Sequence, residues 1–253
     1  MMKNLLYLLT LTLLVNPVLS AQTKVDLFLQ GNGQYESGDY EGAVRSYTDI
    51  VEMGFESPEL WYNLGNSYYK LERLGYSVLA YERAKKLSPA DESILYNLKA
   101  ANLLLKDKVT APRENFIIEF ISSIHNSART DGVIKLLIFL YLASIFIYTL
   151  TLFMANGRLK RTLNYSLVTF GILFFFTSVF AGLKIESELN SSRAVVMVEE
   201  MSVSSAPEEI GEELFLLHEG TTVELLGGSD SWKQIRLIDG KAGWAPAEML
   251  EVI

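Results

Sequence analysis

Apolar residues are arranged in four distinct ways along this chain, and each arrangement predicts a different kind of element. Residues 5–15 form a short apolar run behind Lys3. From residue 24 to about 106, apolar positions recur three and four apart, the spacing of helices with one buried face. This pattern predicts helices near 24–37, 40–53, 58–71, 75–88 and 91–106. Two long apolar stretches follow, 133–155 and 165–183. Beyond residue 190 the runs shorten to 194–198, 221–226 and 232–237, broken by Gly220, Gly227, Gly228, Gly240 and Gly243, which predicts strands and turns.

Inside the helical region, positions echo one another 34 residues apart. Gly31 recurs as Gly65, Tyr47 as Tyr81, Asn63 as Asn97 and Leu64 as Leu98, while Leu27 returns as Trp61 and then as Leu95. This period resembles the tetratricopeptide repeat (TPR), a helix-turn-helix unit that stacks on its neighbours and holds other proteins. In the second copy Trp61, Leu64, Gly65, Tyr68, Tyr81, Ala84 and Pro89 all match the pattern, and small Ser77 replaces the usual Ala. The first copy keeps Gly31, Ala43 and Tyr47 but places Gln30 and Gln34 where an apolar and an aromatic residue are usual.

The resemblance implies an α-helical TPR solenoid over 22–110, with Gly38 and Gly75 at the tight turns between paired helices. The last helix would cap the stack through Leu95, Leu98, Ala101 and Leu104. Two repeats and a cap fall short of the roughly three repeats that stability asks for, so a dimer or a docked partner would supply the rest. On the concave face stand Asn32, Asn63, Asn66 and Asn97, candidates for holding a peptide. A clamp for a terminal carboxylate also needs Lys or Arg, but Phe28, Ser93 and Asn97 occupy the places where those charges belong. A general peptide or protein groove is therefore the expectation.

Lys3, the apolar run and the Val18-Leu19-Ser20-Ala21 segment resemble a secretory signal peptide, with cleavage expected after Ser20 or, as the alternative, after Ala21. Each long apolar stretch covers a hydrocarbon core of about 30 Å at about 1.5 Å per residue. Residues 156–164 between them hold Arg158, Lys160 and Arg161 and no acid. Short basic loops stay cytoplasmic, so the expected topology is two transmembrane helices in a bacterial inner membrane with both flanking domains in the periplasm. Neither stretch carries an acid, Arg or His at its middle, so the pair reads as an anchor rather than an ion path. Residues 111–131 carry the stripe Phe116, Ile117, Phe120, Ile121 and Ile124; this amphipathic linker either lies on the membrane or packs on the helical stack.

Net charge is concentrated at the C-terminal end. Residues 190–253 hold twelve acidic and four basic side chains, a balance of −8 that equals the net charge of the whole chain. Such a surface argues against nucleic acid and against attraction to anionic lipid. The string from Leu217 to Val223, then Trp232, Ile235, Asp239-Gly240 and Gly243-Trp244-Ala245-Pro246, resembles a bacterial SH3-type domain. That resemblance implies a small all-β barrel over 190–253, in which Trp244 is either a peptide-binding surface residue or core, and Trp232 is core.

The chain has no Cys, and its histidines, His125 and His218, have no partner at ligand spacing and read as surface residues. No phosphate loop, metal-ligand cluster or nucleophile with a base stands out, so no catalytic, cofactor or metal site is expected. The order of parts, with Tyr96-Asn97-Leu98-Lys99-Ala100-Ala101-Asn102, Asp107-Lys108 and Ser204-Ser205-Ala206-Pro207, resembles the Bat aerotolerance family. That resemblance implies von Willebrand A-type Bat membrane proteins and a MoxR-type ATPase as partners. The function expected is an envelope scaffold, with peptidoglycan binding by the C-terminal domain as the alternative.

Overall fold

The computed structural model describes residues 23–109, 130–155, 157–190, 192–207 and 211–253. The expected signal peptide and nearly all of the 111–131 linker lie outside the described residues. The chain divides into two compact units, one joining 1–111 with 193–253 and one holding 112–192.

In the first unit the helical part comprises α1 (23–36), α2 (Tyr40–Glu52), α3 (Pro58–Lys70), α4 (Leu74–Leu87) and α5 (Glu92–Leu104). Their starts follow local chemistry. The Asp39 carboxylate accepts from the Gly42 N–H at the head of α2, and the Ser57 hydroxyl accepts from the Leu60 N–H at α3, where Pro58 takes the first helical position. Asp91 accepts from the N–H groups of Ser93 and Ile94 at α5. Gly38 (φ +86°) makes the turn before α2, as its sequence position suggests. Gly75 was expected at the matching turn but lies inside α4, and the left-handed residue there is Glu72 (φ 59°).

Apolar faces of α2, α3 and α4 meet in a core of Tyr47, Ile50, Leu60, Trp61 and Leu64, closed by Ile94. The covering face of α5 is Ile94, Leu98 and Ala101, continued by Leu105 just past its end. Leu95 and Leu104, expected on that face, point outward and are 39% and 56% exposed.

The C-terminal part is a seven-stranded sheet in the order β3-β2-β6-β5-β4-β1-β7. Its strands are β1 (Ser192–Val196), β2 (Glu200–Ser204), β3 (Glu213–His218), β4 (Thr222–Gly228), β5 (Trp232–Arg236), β6 (Ala242–Pro246) and β7 (Leu250–Val252). The pairs β1–β7, β2–β3, β2–β6, β4–β5 and β5–β6 are antiparallel. Alternation sends Val196, Met201, Val203, Val223, Ile235 and Ala245 inward to one core.

Helices and sheet are not separate bodies. Val78, Leu79 and Tyr81 of α4 and Leu98 and Ala101 of α5 share a buried cluster with Leu105 and with Val195 of β1. The sheet thus covers the flank of α4 that a further repeat would cover. Part of the mass that a short stack lacks thus comes from 90 residues downstream in the same chain.

The second unit contains α6 (Thr130–Phe153) and α7 (Arg158–Asn190), packed on each other with the Tyr141 and Phe174 rings 6.3 Å apart. Both are long and apolar enough to cross a membrane, and little of either is buried. The basic segment 156–164, expected as a loop, is helical from Arg158 onward, so α7 runs through it and past the expected end at 183.

Candidate functional site

The four asparagines predicted on the concave face form two copies of one internal bonding pattern. In the first, the Tyr47 hydroxyl donates to Asn32 Oδ1 at 2.7 Å, and Asn63 Nδ2 donates to the same oxygen at 3.1 Å. In the second, 34 residues on, the Tyr81 hydroxyl donates to Asn66 Oδ1 at 2.7 Å and Asn97 Nδ2 donates to it at 2.8 Å. Each tyrosine ring reaches its asparagine because a glycine clears the way. A Cβ on Gly31 would stand 2.5 Å from the Tyr47 ring, and one on Gly65 would stand 2.7 Å from that of Tyr81. Burial pushes the Tyr47 hydroxyl up to about 12, and it pushes Tyr81 up as well, so both remain proton donors throughout the neutral range.

These asparagines are therefore partly spent on holding the helices together. Asn32 and Asn66 each accept two bonds on one oxygen, and Asn97 spends both amide protons, on Tyr62 and Asn66. Between α1, α2 and α3 a pocket of about 220 Å³ remains, lined by Asn32, Tyr35, Glu36, Tyr47, Asn63 and Asn66. Glu36 is the charged residue of that lining, and no Lys or Arg stands in it. The carboxylate clamp is thus not merely incomplete; the charge present has the opposite sign.

On the sheet, Trp244 faces Gln234 across β5–β6, and Trp232 faces Pro246. Their face alternates with the inward Ile235 and Ala245, so both indoles stand on the outer side, half-buried. Trp232, expected in the core, is outside it because the core side of β5 belongs to Ile235.

The junction of helices and sheet holds polar residues that sequence reasoning missed. Asp107, just past α5, accepts from the His218 N–H at 2.7 Å and from the Thr221 hydroxyl at 2.7 Å, and its other oxygen lies 2.8 Å from His218 Nδ1. Burial pushes the Asp107 carboxyl up, but bonds from Thr221 and His218 outweigh it and hold it below the usual carboxylate range. His218, read as a surface residue, is 14% exposed and belongs to this junction. Beside it, Glu219 accepts from the Gly75 N–H at 2.9 Å. That N–H lies at the head of α4, where Arg73 provides no side-chain cap. Arg83 of α4 stacks 4.9 Å over Trp61 and donates to Glu251 and to the Val252 carbonyl, both at 2.8 Å. Asp107 and His218 are 111 residues apart, and no local spacing could have joined them.

Residues 58–91 match the tetratricopeptide repeat family, the stretch that holds α3 and α4. Two curated relatives share 30% identity over 81 residues: "BBSome complex member BBS4" of Bos taurus and of Mus musculus. The match covers 32% of this chain and 16% of each relative, so the chain spans only a small part of their length.

Proposed function

We propose that the chain is a membrane-anchored scaffold that gathers envelope proteins on the outer side of a bacterial inner membrane, within an assembly of the Bat aerotolerance type. The observation that carries this reading is the repeat at 58–91, whose first helix closes a polar pocket against α1 and α2, a surface suited to protein contact. The curated relatives are named as members of a complex, which suits the same role.

Anchoring is supported by α6 and α7, on which Phe139, Phe146, Phe153, Phe175 and Phe176 are each more than 60% exposed. Among lipid tails such a surface incurs no cost, whereas in water it would drive association. Arg158, Lys160 and Arg161 at the turn favour a cytoplasmic tip. The packing of the sheet on the helices needs both in one compartment, which an even number of crossings provides. By resemblance the partners are von Willebrand A-type Bat proteins and a MoxR-type ATPase system.

The sheet favours a second reading. Its outer Trp232 and Trp244, with Pro246 opposite Trp232, share one face of a domain that resembles bacterial SH3-type modules, and such a face suits peptidoglycan stem peptides. Crosslinking of the full chain in native membranes separates the two. Recovery of membrane proteins supports the scaffold; sedimentation with purified sacculi and recovery of no protein supports the wall binder. Alkaline phosphatase fused after Ile253 should be active, and fused after Lys160 inactive.

A further inference from the structure

We propose that the pocket between α1, α2 and α3 seats a Lys or Arg side chain of a partner's peptide, with Glu36 as its counter-charge; this rests on the scaffold reading and names what the groove selects. Three observations converge. The pocket lining contains one charged side chain, and it is an acid. Asn63 turns its amide nitrogen toward Asn32 Oδ1, which leaves Asn63 Oδ1 as an acceptor in the lining. Tyr35 adds a ring and a hydroxyl at the same place, fixed edge-on against Tyr40 at 5.2 Å between centroids. A carboxylate, a carbonyl oxygen and an aromatic ring are the groups that hold an ammonium or a guanidinium.

The surroundings reinforce this selection. Residues 23–57, the first helix pair and its turns, carry seven acidic and two basic side chains. An incoming cation is drawn toward that end of the stack, and an incoming carboxylate is repelled. The equivalent position 34 residues on has the reverse sign: Glu36 is replaced by Lys70. Asn97, which completes the second asparagine pattern, has both amide protons engaged. The two slots are therefore not interchangeable, and the cation belongs to the first.

A random nonapeptide display library panned on the full chain in detergent tests this. The expected result is a set of binders with one shared Lys or Arg. Glu36→Gln should weaken such a binder about fivefold, and so should norleucine in place of its Lys. The two changes together should cost no more than either alone, since both remove the same contact. Glu36→Lys should shift enrichment toward acidic residues, while Lys70→Gln should leave the Lys preference in place. Glu36 is exposed, so these variants fold. Binders without a shared cation, or losses that simply add, overturn the inference and leave the scaffold reading standing. A library that yields no binder overturns the groove reading and this inference together.

Discussion

The two helix pairs of the stack share a period and a core device, yet they are completed by different means. The first pair is locally self-sufficient. Gly38 makes its turn at φ +86°, Asp39 caps α2, and Gln34, out of place against the repeat pattern, accepts a 2.7 Å bond from buried Ser46. In the second pair the equivalent positions hold Glu72 at φ 59° and Arg73 without a side-chain cap. This pair matches the repeat pattern better in its core and worse at its turn. The deficit is repaired from the sheet, where Glu219 caps α4 and Asp107 ties the end of α5 to His218 and Thr221. Agreement with a family pattern and local completeness are thus separate properties, and a distant segment can relieve a repeat of the need for the second.

The largest expected effect tests what the pairs share. Gly65→Leu should destabilise the full chain by about 3 kcal/mol, because its side chain enters the space of the Tyr81 ring. Gly31→Leu should act in the same way on Tyr47, and thermal unfolding in detergent measures both. An undisturbed Gly65→Leu variant would break the repeat equivalence.

Asp107→Ala comes next, at about 2 kcal/mol, since it strands the part-buried His218 N–H and the hydroxyl of buried Thr221. Hydrogen exchange at residues 218–221 should rise while exchange in α2 stays constant. The pH dependence has a definite sign. The folded Asp107 titrates below its unfolded value, so its contribution is fully present above the ordinary carboxylate range and is lost as pH falls through and below it. Protection of 218–221 should hold from neutral pH to about 5 and fall below about 4, and Asp107→Asn should flatten that fall.

Smaller again is the cap. Glu219→Ala should cost about 1 kcal/mol and raise exchange at Gly75. Arg73→Asp placed in that background should recover much of the loss by giving α4 the local cap that α2 has in Asp39. The smallest effect is a gain. Glu72→Gly should stabilise by somewhat under 1 kcal/mol by relieving a left-handed backbone at an exposed position, whereas Gly38→Ala should destabilise.

Much of the helical stack was legible because its signals are local or periodic. The Gly31–Tyr47 and Gly65–Tyr81 matches, the helix spacing and Asp39 all act within one repeat. The candidate asparagines pair with one another, Asn63 with Asn32 and Asn97 with Asn66, but no local spacing announces that the Asn32 and Asn66 oxygens also accept from Tyr47 and Tyr81. Gly75 was misread for a related reason. Its lack of a side chain serves Glu219, because a Cβ there would meet that side chain at 2.6 Å, and nothing in residues 70–80 announces a partner 144 positions away. His218 lacked a ligand-spaced neighbour for the same reason. Trp232 was misassigned because alternation on β5 is set by pairing register, which Ile235 reveals only once β6 is in place.

The shared helix–sheet cluster also has a consequence in time. Leu105 leaves the ribosome 90 residues before Val195, its neighbour in that cluster. At about 5–20 residues per second, that gap lasts roughly 5–20 s. During it Val78, Leu79 and Leu98 lack the cover that Val195 provides, and the chain in between contains two helices long and apolar enough to cross a membrane. Completion of the first folded unit therefore waits on delivery of the last sixty residues, and a ribosome stalled anywhere in the hairpin would leave an adhesive half-stack that holdase chaperones and proteases would recognise first.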